Sequence, residues 1–210
     1  MSLESSLSWW SRMTRPTVAP IARKETLASR GSSERRASKQ KVAALEEVLA
    51  YKNRDVVARF LKSYPIDPAD AEDIFTEMKR WLWLFGYRTM LGARKRLYVH
   101  PPMTALDEMW HCFVLYTEDY AEFCFRFFGQ FLHHRPVTLA EKARAQKRLD
   151  KDPEAYARAF ARQMEGQYRI IAKILGEETL RKWYVEIPAK YSPEELQRLN
   201  AQSAVFSEHG

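Results

Sequence analysis

Glycine is scarce in this chain, with 7 residues in 210, and cysteine scarcer still with 2. So little glycine leaves no room for a glycine-rich phosphate cradle, and neither the P-loop pattern nor GxGxxG occurs. Two cysteines, Cys112 and Cys124, cannot form a secreted disulfide framework, and they do not form a CxxC pair. Set among aromatic neighbours in predicted helix, they read as buried, reduced thiols of a cytoplasmic protein. The zinc-protease pattern HExxH is missing, no internal repeat is visible, and no apolar run reaches the length of a membrane span or a secretory signal.

What remains is a chain built for one core. Hydrophobic residues make up 46% and aromatics 13%, enough to fill a sizeable globule. The formal charge of +7 suggests a nucleic-acid binder until it is mapped. Residues 1 to 41 carry nine basic side chains against three acidic ones, which leaves 25 of the 34 basic and 24 of the 27 acidic residues for the rest. The excess therefore lies in the first segment, and the remainder is close to neutral. That segment is rich in Ser and Arg and lacks an apolar period, so residues 1–38 are expected to be a disordered basic tail. Trp9 and Trp10 beside Arg12 would suit a membrane surface or a protein groove, and the Arg-rich, acid-poor start also resembles an organelle transit segment.

Residues 39–210 read as one helical domain. Asp67 before Pro68 and Asp152 before Pro153 each place a capping carboxylate ahead of a proline at the first helical position. Thr138 with Glu141 has capping-box spacing, and Ser192 before Pro193 repeats the device. The signals predict helices over 39–63, with a break near Asn53, and over 68–91, 105–116, 118–128, 139–150, 153–175, 177–184 and 193–202. The expected fold class is all-α, a helical bundle. Arg96 to His100, ended by Pro101 and Pro102, is expected to be an extended connector.

The segment from Asp107 to Pro136 holds three of the five histidines, both cysteines and much of the aromatic content. Asp107 and His111 are four apart and share a helix face. If the 105–116 and 118–128 helices fold back on each other, His133 or His134 returns to that face. Two imidazoles and a carboxylate suit Zn or Fe, so Asp107, His111 and His134 are the candidate ligands, with His100 and His133 as further candidates. A structural alternative stands beside this one. Thr104 and Asp107 have capping-box spacing, and the histidines would then form a polar network. With Trp110, Phe113, Phe123, Phe125, Phe127, Phe128 and Phe131 nearby, His111 is expected to be mostly buried, with no deep polar cleft opening onto it. Arg94, Lys95 and Arg96 form a basic cluster that reads as solvated.

The pattern D-x-x-W-H, Y-T-x-D-Y-x-x-F-C and G-x-F-L-H-H-x-P resembles a signature of the bacterial glycine-rich domain-containing protein-like family, related to the N-terminal region of plant glycine-rich domain proteins. It falls on Asp107, Trp110, His111, Tyr116, Thr117, Asp119, Tyr120, Phe123, Cys124, Gly129, Phe131, His133, His134 and Pro136. The resemblance implies that the Trp-His and His-His elements belong to one module, and it supplies no reaction.

The functional expectation is a small metal- or ligand-binding accessory protein with a protein partner. A metal-dependent enzyme of hydrolase or oxygenase type would use the same residues. An adaptor would instead recruit an anionic surface or a nucleic acid through its tail.

Overall fold

The computed structural model describes residues 42–93 and 96–207. The expected disordered tail, residues 1–38, and the cluster members Arg94 and Lys95 lie outside the described residues. The described chain is all-α, without a strand, as its capping and periodicity imply. Helices α1 (Leu45–Ala50), α2 (Arg54–Ser63) and α3 (Pro68–Met90) are followed by a connector and a 3-10 turn at Pro101–Met103. Then come α4 (Thr104–Leu115), α5 (Thr117–Phe128), α6 (Leu139–Lys151), α7 (Pro153–Leu175) and α8 (Glu177–Arg181). A π turn at Lys182–Glu186, α9 (Ile187–Lys190) and α10 (Pro193–Ser207) complete it. Among the described residues no helix is long and apolar enough to cross a membrane.

Three start signals act as expected: the Asp67 side chain accepts from Ala69 N–H, the Asp152 side chain accepts from Ala155 N–H, and Thr138 and Glu141 close a reciprocal capping box. The first expected helix, 39–63, is two helices. Asn53 caps the second by accepting from Val56 N–H, and the first begins only at Leu45. The 177–184 helix differs more. Pro188 has no N–H to give the carbonyl of Tyr184, and the chain widens before it, with Ile187 N–H reaching back to the Lys182 carbonyl.

The core lies between α3, α4 and α5. Ala71, Ile74, Phe75, Met78, Trp81 and Leu82 step by three or four along α3 and are buried. Against them α4 turns Ala105, Leu106, Met109 and Phe113, and α5 turns Phe123, Phe127 and Phe128. Gly86 marks the closest approach. A Cβ there would stand 2.8 Å from Cδ1 of the Phe128 ring, inside any tolerable contact. Two charges are buried on α3 and both are satisfied. Lys79 Nζ donates to the Leu49 and Tyr51 carbonyls at 2.5 and 2.7 Å, supplying donors to the end of α1. Glu77 accepts from Trp183 Nε1 at 2.8 Å and pairs with Lys182 and Arg80, which fastens the π turn to the core.

Candidate metal centre

Helix α4 commits its apolar stripe to the core, which leaves Asp107 and His111 at the edge of the buried face. The partner segment arrives by a short route. A single residue, Tyr116, joins α4 to α5. Gly129, at φ 64°, then ends α5 in the left-handed conformation that glycine adopts without strain. The following segment hangs from one hydroxyl: Tyr120 donates to the Leu132 carbonyl at 2.6 Å and accepts from Trp110 Nε1 at 3.0 Å. Two residues on, His134 stacks on the Trp110 ring, with centroids 4.0 Å apart and planes 27° apart.

This arrangement brings Asp107, His111 and His134 together. One ligand-capable atom from each lies within 4.8 Å of the others. His134 Nε2 is 3.5 Å from Asp107 Oδ1, His111 Nε2 is 3.8 Å from Asp107 Oδ2, and the two imidazole centroids are 4.7 Å apart. His133 and His100 go elsewhere. His133 points outward beside Phe131, at 5.0 Å, because neighbours in an extended segment face opposite ways. His100 is buried against Phe160 and Tyr98. Burial holds its pKa down near 4, so it is a neutral packing histidine.

The capping-box explanation of Asp107 does not hold. Residue Met103 stands at the N-cap of α4 with no side-chain bond, and Thr104 turns its hydroxyl to the Pro101 carbonyl at 2.7 Å. Asp107 Oδ1 is buried and has no hydrogen-bond partner. Burial lifts the Asp107 pKa to about 6, opposed by the nearby His111 and aided by Glu108. Burial and the neighbouring His111 lower His134 to about 4. His111 moves the other way, raised by its hydrogen bond to Glu108.

The expected burial of His111 is corrected by its position. Its side chain keeps 48% of its surface, against 27% for Asp107 and 18% for His134. Phe113 turns to the core, Phe125 is itself exposed, and the Trp110 ring covers His134 and leaves His111 open. Counting rings near the motif missed their direction. Surface grooves of about 430 and 450 Å³ are lined by other residues, around Phe127 and along α6.

Two neighbours were absent from the sequence-based set. Glu108 Oε2 lies 3.4 Å from His111 Nδ1 and accepts the Tyr64 hydroxyl at 2.8 Å. Glu108 is three residues before His111, a spacing that faces it on a helix and could have been found. Tyr64 is 44 residues from Glu108, and no local signal reveals it.

Fold and site together define an all-α protein with an Asp-His-His cluster at the edge of its core. The chain belongs to the UCP032817-like family, whose model matches residues 40–157. That match replaces the glycine-rich domain-containing protein-like assignment. The thirty-residue motif that suggested it lies inside the matched segment, and no glycine-rich region accompanies it. No curated protein and no solved structure matches the chain.

Proposed function

We propose that the protein binds one divalent transition metal, Zn or Fe, through Asp107, His111 and His134. The observation that carries this reading is the state of Asp107. Its carboxylate faces two imidazoles at 3.5 and 3.8 Å, yet its buried Oδ1 bonds to neither. A closed polar network would place those atoms at about 2.8 Å. Donors that share an ion at about 2.0–2.2 Å stand roughly 3.0–3.5 Å apart, and the three ligand atoms here, within 4.8 Å of one another, would reach that spacing by small side-chain shifts. Two imidazoles and one carboxylate form the donor set that zinc and non-haem iron both accept.

Bound there, the metal would supply Lewis acidity. The chain's part is to hold three donors on one side and leave the other toward solvent through His111. Trp110 shields one face of His134, and Tyr120 fixes the segment that delivers it. The exposure of His111 favours a second reading, a metal-dependent enzyme of hydrolase or oxygenase type, because an open coordination position is what substrate or water requires. Recruitment of an anionic partner by residues 1–41 is a separate proposal, supported by their charge alone.

Elemental analysis of the purified full chain, followed by calorimetric titration of the stripped protein with Zn(II) and Fe(II), tests the metal reading. One equivalent is expected in the wild type. His111→Ala and His134→Ala should lose at least about 100-fold in affinity, the upper end of what outer partners alone cost. Arg158→Ala, an exposed residue paired with Glu154, should bind normally. Stoichiometric binding that survives both histidine variants would refute the assignment.

A further inference from the structure

We propose that Glu108 and Tyr64 act as positioning residues that keep the proton of neutral His111 on Nδ1, so that Nε2 is its ligand nitrogen, and that α10 backs this brace through Ser203. The inference deepens the metal reading, and its first test does not depend on that reading.

A neutral imidazole carries one N–H, and the acceptor available decides where it sits. His111 Nδ1 meets Glu108 Oε2 in a long hydrogen bond of 3.4 Å, while Nε2 is 3.8 Å from Asp107 Oδ2 and forms none. The proton therefore belongs on Nδ1. The Nε2 lone pair is left facing the position that Asp107 and His134 also face. A carboxylate on the far nitrogen of a ligand histidine orients the ring and strengthens its basicity.

Glu108 stands outside the three-residue ligand group, and the oxygen that meets His111 is already held by Tyr64. The Tyr64 hydroxyl donates to Oε2 at 2.8 Å. The phenol is itself fixed: its ring packs on Phe60 with centroids 4.8 Å apart, its backbone N–H caps α2 on the Phe60 carbonyl, and the residue is 7% exposed. A rigid tyrosine aims the carboxylate, and the aimed carboxylate selects the tautomer.

The brace continues to the last helix. On that helix the Ser203 hydroxyl donates to the carbonyl of Ser63, the residue before Tyr64, at 3.1 Å. Helix α10 lies beyond residue 157, where the family match ends. A ligand carried by the family module is thus steadied by a helix outside it.

The test has two parts on the full-length, metal-stripped chain. Long-range nitrogen-proton correlation spectra, taken well above neutral pH, report which nitrogen of His111 bears the proton. Wild type should show Nδ1–H, Glu108→Gln should retain it through the amide oxygen, and Glu108→Ala should lose it with unchanged circular dichroism. Zn(II) competition titrations should then show Glu108→Ala weaker by about 10–100-fold, Tyr64→Phe weaker by a smaller factor, and Ser203→Ala by the smallest. His111 carrying its proton on Nε2 in the wild type would overturn the proposal, as would Zn(II) affinity unchanged in Glu108→Ala. A wild type that shows Nδ1–H and binds no Zn(II) would leave the brace standing and remove the metal reading.

Discussion

Two of the helix pairs that a single residue joins among the described residues, α4 to α5 through Tyr116 and α6 to α7 through Asp152, are stabilised in opposite ways. Helices α4 and α5 start without any side-chain cap. They bury Phe113, Tyr120, Phe123, Phe127 and Phe128, and Phe113 alone meets the rings of Tyr51, Phe75, Tyr120 and Phe123. Helices α6 and α7 both start on capping side chains, a full capping box in one case, and α6 buries only Ala145. Where tertiary contact is dense, a helix end is held by its packing. Where contact is sparse, the orphan N–H groups need local partners.

The largest effects should come from truncating rings on the two sides of this contrast. Phe113→Ala removes a fully buried side chain and should cost about 3–5 kcal/mol of unfolding free energy. Phe160→Ala on α7, where the ring is 37% exposed, should cost under about 1.5 kcal/mol by the same urea titration, since less area leaves water. Equal losses would show that the α6–α7 pair is packed as tightly as the core.

Charges follow the same division. On α6, Glu141 is doubly bonded to Arg135, whereas on α4 the half-buried carboxyl of Asp107, with its Oδ1 buried and unbonded, is raised to about 6. A raised acid stabilises the fold below its unfolded pKa of 3.8, and that stability is lost as pH rises through 6. His134, lowered from 6.5 to about 4, works the other way, its stability being present above 6.5 and lost as pH falls through 4. In the metal-free protein the two slopes largely cancel between about pH 4 and 6. Asp107→Asn leaves the His134 slope uncovered, so its stability should rise relative to wild type by about 1 kcal/mol per pH unit across that window. Parallel stability-pH curves for the two proteins would refute the burial of that charge. With metal present, apparent affinity should fall as pH drops through 6, because the carboxylate must be ionised to bind.

The smallest effect concerns the caps. Asp152→Ala should destabilise by about 1 kcal/mol in the same titration, because it frees the Ala155 N–H at an exposed helix start. A loss near zero would mean that α7 is held by contacts other than its cap.

This contrast also explains what could be read from the sequence. The starts of α3, α6 and α7 were legible because an Asp or Thr cap with a Pro or Glu at fixed spacing is a local device. Asp107 and His111 were legible as a pair for the same reason, since four residues on a helix is a fixed geometry. Choosing between His133 and His134 required knowing that Tyr120 pins the Leu132 carbonyl, a tertiary contact. The exposure of His111 was misjudged because composition counts rings without saying which side of α4 they occupy. Tyr64 reaches Glu108 across two elements, and its role left no trace in spacing.

Gly86 has a consequence well away from its own position. Its missing side chain admits the ring of Phe128, the last residue of α5, and Phe128 leads directly through Gly129 into the segment that carries His134. Asp107 and His111 ride on α4 and keep their spacing whatever α5 does. His134 does not, so a methyl group at residue 86 would act as a wedge, pushing the end of α5 outward and carrying one imidazole away from the other two donors. The gauge of the three-residue cluster is therefore set by an atom that the chain leaves out, one helix away from any of its members.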